Sequence, residues 1–265
     1  MWSSSNVSPT PILDFTHENV AKLARRALES ASTPLPTKFL GAAHEVIAES
    51  IRPVYSVNEE LPASRVIGRG FGSCSQRLAI LEAVARSAGI PTRARGFVVR
   101  GEFWRPRFRV PRVLMPREVL LCWPDFCIDD QWVTCGEIFR GPEDPCETPA
   151  FTNSGPETLF EAIRNRQVSW TKPGTGSATG DLSAWVIRDL GTFPSRDALW
   201  QAHNQTFDGV VLPIVDAALI LGSRAAGWAR RAPSPGSRGR RHPVSPTAPR
   251  HPARAGCCPP PEGPG

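Results

Sequence analysis

The chain has 265 residues, 40% hydrophobic and 21% charged, the balance of a globular protein with enough length for a substantial core. Its formal charge of +6 belongs entirely to the stretch from Ala229 to Gly265, which holds seven arginines against one acid, Glu262; the remainder has no surplus charge with which to recruit a polyanion. Seven cysteines, an odd number in a long chain, do not make a disulfide framework. The start, Met1 to Pro11, is Ser/Pro-rich without a basic-then-apolar signal pattern,. The longest apolar run, Val210–Leu221, is short for a bilayer and contains Pro213 and Asp216,. These features exclude nucleic acid and membrane as partners. They predict a protein of the reducing cytoplasm, with residues 1–10 as a flexible N-terminus, 11–225 as one domain, and 226–265 as a disordered Pro/Arg/Gly-rich tail.

In chain order, Asp14 or Thr16 caps a helix from about His17 to Glu29, with Val20, Leu23, Ala24 and Leu28 as its apolar stripe,. A second helix spans about Thr37 to Ile51 and stops at Pro53,. A helical turn at Ala63–Gly68 leads into Gly70-Phe71-Gly72-Ser73, and a third helix opens at Cys74 or Ser75 and stops at Gly89 and Pro91,. Strand signals follow at Arg93–Val99, Val119–Asp129 and Trp132–Cys135, the last two joined by a tight turn at Asp129–Gln131,. Pro124 inside the second strand suggests an edge or a bulge. A long loop at Arg100–Arg117 interleaves arginines with Phe103, Trp104 and Phe108. It reads either as a lid stacking on a planar or anionic ligand, or as a solvated insertion. From Pro156 onward the signals are helical: Glu157–Asn165, Ser195–Phe207 and an apolar helix near Val211–Arg224. Helices, then strands, then helices describe an α+β fold.

Cys74 is the residue with most chemical promise. A thiol at a helix N-terminus meets the positive end of the macrodipole and free backbone N–H groups, which favour thiolate and can hold an oxyanion. The alternative is a small packed residue at a helix start. The stretch Gly72-Ser73-Cys74-Ser75-Gln76-Arg77-Leu78-Ala79-Ile80-Leu81, followed by Ala88-Gly89-Ile90-Pro91-Thr92-Arg93, resembles the nucleophile helix of the transglutaminase-like (cysteine-protease-like) superfamily. The resemblance runs from about Pro11 to Gly222 and is strongest over 68–99. It implies a papain/transglutaminase-like core, with N-terminal helices and a central Cys-bearing helix packed on an antiparallel sheet. It also implies a cleft formed with Gly72, Ser73, Ser75, Trp123 and Trp104.

Active members of that superfamily pair the cysteine with a histidine base and an aspartate that orients it. Aligned on Trp123, Asp129 and Trp132, the histidine position holds Leu121 and the aspartate position falls at Gly136. No histidine occurs between His44 and His203. Substitute partners for Cys74 are His203, His44, Asp125 and Glu137, each of which also reads as an ordinary structural or surface residue. Three functions stay open. The first is a cysteine-dependent acyl-transfer or thioester/amide-processing enzyme, acting on a small-molecule, peptide or carrier-bound acyl substrate. The second is a catalytically inactive protein that binds a peptide or metabolite in the old cleft. The third is a repurposed biosynthetic enzyme catalysing a cyclisation or acyl transfer. Without an acid for the leaving amine, amide hydrolysis is the weakest of the enzymatic options. No cofactor is implied. The spacing of Cys122, Cys127, Cys135 and Cys146 matches no zinc pattern, and no metal site is expected. Ser169–Gly176 lacks the order of a phosphate loop.

Overall fold

A computed structural model describes residues 3–108, 116–139, 150–154, 157–165, 168–170, 180–207, 209 and 211–225. Cys146, most of Ser169–Gly176, the middle of the Arg100–Arg117 loop and the tail from 226 lie outside the described residues. The first half is helical: α1 (Glu18–Ser30), α2 (Pro36–Ser50), α3 (Ala63–Arg69) and α4 (Cys74–Ser87), with two-residue strands β1 (Arg52–Pro53) and β2 (Phe71–Gly72) paired in parallel. The sheet follows: β3 (Thr92–Arg100), β4 (Glu118–Ile128), β5 (Gln131–Thr134) and, later, β6 (Val186–Phe193). Its strand order is β5-β4-β3-β6. Between and after them lie α5 (Leu159–Arg164), α6 (Arg196–Ala202) and α7 (Val211–Ala225). The architecture is α+β.

Helix α4 is the centre. Every residue from Gln76 to Arg86 is buried, because α1, α2 and α3 pack around it and the sheet covers its other side. A helix buried all round loses its amphipathic stripe. Its polar members then need partners inside the core. Arg86 finds them: Nη1 donates to the carbonyls of Ser5 (3.1 Å) and Ser8 (2.7 Å), and Nη2 to those of Thr92 (3.1 Å) and Pro194 (2.7 Å). Asn6 is itself buried and donates to the Thr92 carbonyl at 3.0 Å. The start of the chain, expected to be flexible, is therefore tied to the core over residues 3–10. Polar side chains make that attachment, and hydrophobic patterning does not reveal it.

Three further differences from the sequence reading have physical causes. Strand β6 falls where only helical signals were read. It is an edge strand on β3, half-exposed or exposed along its whole length, so no alternation marks it,. Helix α6 ends at Ala202, not Phe207, and His203 adopts extended backbone as its C-cap. Pro124 does not make β4 an edge or a bulge: β4 pairs on both sides, and Pro124 sits just where its pairing with β5 begins at Asp125–Thr134. The turn into β5 uses left-handed Asp129 (φ 49°) and Asp130 (φ 59°), as a two-residue hairpin demands.

Candidate active site

Cys74 is the first residue of α4, and the local sequence holds it there. Ser73 caps the helix: its Oγ accepts from Gln76 N at 3.2 Å, and Gln76 Oε1 accepts from Ser73 N at 3.0 Å, a reciprocal capping box,. Gln76 is gripped further by Arg69 Nη2 at 2.5 Å, and donates to Ser56 Oγ at 2.8 Å and Asn58 O at 2.7 Å. Gly72 is needed for space: a Cβ there would come within 2.7 Å of Val66 Cγ1. Its role is packing behind the helix start, and it does not line the cavity in front.

That cavity has a volume of about 450 Å³. Cys74, Ser73 and Ser75 at the start of α4 line it together with Leu121 and Cys122 of β4. Trp104, Phe103 and Phe108 come from the loop after β3, and Ile214, Ala218 and Leu219 of α7 form a roof. The loop therefore contributes its aromatics. None of its described arginines lines the cavity, but Arg107 donates at 2.8 Å to Oδ1 of Asn153, which does. Trp123, expected on the cleft wall, is instead a core residue, 2% exposed and edge-on to Trp170 at 5.9 Å.

Burial pushes the Cys74 pKa up, and the Glu161 carboxylate pushes it further in the same direction. Arg77, the Thr158 hydroxyl and the Phe160 backbone oppose them without prevailing,. Burial and Glu161 thus work against the thiolate that a helix N-terminus favours,. These neighbours come from the start of α5, where Thr158 and Glu161 form a second capping box. Arg77, fully buried, pairs with Glu161 at 2.6 Å and stacks on Phe160 at 4.2 Å. Sequence reading missed them. The Thr158-x-x-Glu161 pattern announces a helix start, but nothing local says that it abuts Cys74.

The proposed partners of Cys74 lie elsewhere. His203 packs edge-on against Phe193 at 5.7 Å and borders a separate depression with Glu118 and Arg188. His44 is buried, stacked on Phe160 at 4.1 Å, and its Nε2 donates to the Phe160 carbonyl at 2.7 Å. Burial lowers its pKa to about 4, so it stays neutral. His17 caps α1, its Nδ1 accepting from Asn19 N at 3.1 Å. Asp125 is no surface carboxylate. It is 1% exposed and pairs with Arg93 at 2.9 Å, and burial raises its pKa against that pull. Glu137 is exposed on the turn after β5. None of these five lines the cavity. At the family aspartate position, Gly136 leaves no room for any side chain: a Cβ would meet the Val168 carbonyl oxygen at 2.5 Å.

Ser75 is the polar hub on the other side of Cys74. Its Oγ donates to Glu59 and accepts from Arg196 Nη1 at 2.9 Å; Arg196 Nε in turn donates to Glu82 at 2.5 Å. Arg196 and Glu82 are both fully buried. This chain joins α4, α6 and the segment before α3, and it serves assembly. Among the described residues, no group of three or more His, Cys, Asp or Glu side chains is placed to hold a metal ion.

Residues 21–136, from α1 past β5 and including Cys74 and Leu121, match the family model of the transglutaminase-like superfamily. A crystal structure from Cytophaga hutchinsonii, of a protein provisionally called a cysteine protease, is similar at 18% identity and a TM-score of 0.34. The match covers 48% of this chain and spans 39% of that one. Comparison with curated proteins finds no match.

Proposed function

We propose that this transglutaminase-like core works as a binding module, holding an apolar small molecule in the cavity beside Cys74 without Cys–His–Asp acyl transfer. The observation that carries this reading is the lining of the cavity: Cys74 and Leu121 both border it, and Leu121 is the residue that aligns with the base in the resemblance to the superfamily. An isobutyl group takes no proton, and the thiol that also borders the cavity is held in its neutral form by burial,. The acyl-transfer and repurposed-enzyme readings rest on the position of Cys74 alone. The ligand class is a small molecule rather than nucleic acid or membrane. The described cysteines are free thiols, which supports a reducing compartment such as the cytoplasm. No described helix is long and apolar enough to cross a membrane.

The test is exposure of the purified protein to a decanoyl thioester, with intact-mass detection. The binding reading expects no decanoyl adduct on Cys74 and unchanged ligand affinity in Cys74→Ala. An adduct on Cys74 that later hydrolyses restores the enzymatic reading.

A further inference from the structure

The polar atoms of the cavity wall say what kind of molecule it accepts. Its volume, about 450 Å³, lies in the usual range of small-molecule sites, roughly 300–1,000 Å³. No lysine or arginine is among the described residues that line it. Two of the hydroxyls that line it donate to protein carboxylates, and Thr206 accepts from the backbone. Ser56 Oγ donates to Asp216 Oδ1 at 2.6 Å, Ser75 Oγ donates to Glu59, and Thr206 Oγ1 accepts from Leu120 N at 3.1 Å. Asn153 is also partnered, with Oδ1 on Arg107 and Nδ2 on the Phe103 carbonyl at 3.0 Å. Among the described lining residues the one carboxyl is Glu59, whose pKa burial raises against the pull of the Ser75 hydroxyl and Arg196. An entering anion would shed its water, find no cation among the described lining residues to replace it, and lie beside the Glu59 carboxyl, a cost an uncharged molecule avoids,.

Building on the binding reading, we infer that this cavity takes a neutral apolar molecule and rejects the same molecule once it carries a carboxylate. The alkyl portion rests between the aromatics after β3 and the inner face of α7, and Glu59 marks the end from which negative charge is excluded.

Calorimetric titration of the purified full chain with decanol and with decanoate, at a pH where decanoate is fully ionised, tests this. Decanol is expected to bind at least about tenfold more tightly. Ala218→Trp, which fills the space under the roof from a surface helix, is expected to abolish decanol binding with the fold intact by circular dichroism. Glu59→Gln is expected to raise decanoate affinity several-fold relative to decanol. Equal or tighter binding of decanoate overturns the inference and leaves the binding reading standing. So does decanol binding that survives Ala218→Trp. If neither probe binds the wild-type chain, the binding reading itself fails and takes the inference with it.

Discussion

Cys74 and Leu121 border the same cavity from two elements, a thiol at the first turn of α4 and an isobutyl group on β4. The resemblance to the superfamily aligns its nucleophile with Cys74 and its base with Leu121, and the proposed binding role rests on that alignment. With burial and Glu161 both raising the thiol pKa, Cys74 should alkylate slowly. Iodoacetamide labelling followed by mass spectrometry, with Cys257 and Cys258 as internal standards, is expected to show Cys74 reacting more slowly than either at neutral pH, with a midpoint above theirs. Faster labelling with a lower midpoint sinks this account of the site.

Restoring the family residues should not be symmetrical. Leu121→His places an imidazole on the cavity wall and is expected to accelerate Cys74 alkylation while lowering stability. Gly136→Asp should not fold, since even its Cβ meets the Val168 oxygen at 2.5 Å. Gly136→Ala isolates that contact and is expected to cost about 1–3 kcal/mol, read from the denaturation midpoint. A neutral Gly136→Ala would show that the approach relaxes freely.

His44 gives the fold an acid sensitivity of known sign. Its folded pKa is depressed from 6.5 to about 4 by burial, so the unfolded chain binds the extra proton first. The stabilisation is complete above pH 6.5 and is lost as pH falls toward 4, amounting to about 3 kcal/mol. His44→Gln should flatten the urea-midpoint curve across that window relative to wild type. Parallel curves for the two proteins would contradict the assignment.

Helix α7 is held over the cavity at two points. Asp216 Oδ1 accepts from Ser56 Oγ (2.6 Å), Val57 N (2.8 Å) and Asn58 N (3.3 Å), and Ser223 Oγ accepts from Tyr55 N at 2.8 Å. The helix is poorly covered, with Ile214 70% and Leu221 63% exposed, so these contacts carry much of the attachment. Asp216→Ala is expected to weaken docking by about 1–3 kcal/mol. Hydrogen exchange over Val211–Ala225 should speed up while α4 keeps its protection. Uniform loss across both helices would mean that α7 is integral to the global fold.

The buried pair Glu82–Arg196 should behave as a unit. Glu82→Leu alone leaves a guanidinium stranded in the core and is expected to cost about 3–5 kcal/mol. Adding Arg196→Met should recover part of that loss in thermal melts. A double variant less stable than the sum of the singles would show that the Ser75 contact matters more than the pair.

How much was legible locally follows from where the information lies. The helices α1, α2 and α4, the strands β3 and β4, and the hairpin into β5 are written in 3.6-residue spacing, caps, Gly/Pro stops and turn residues that act within a few positions. The loss of the histidine is legible for the same reason: Leu121 is identified by anchors a few residues away, and the chain offers no other histidine nearby. Tertiary structure alone decided the rest. Strand β6 exists because β3 has a free edge to pair, with no apolar alternation of its own. Asp125 is buried because Arg93 stands beside it on the neighbouring strand. The state of the Cys74 thiol depends on Thr158, Phe160 and Glu161, brought from far along the chain. Burial and electrostatics sum over whatever the fold packs nearby, and sequence proximity carries no record of that.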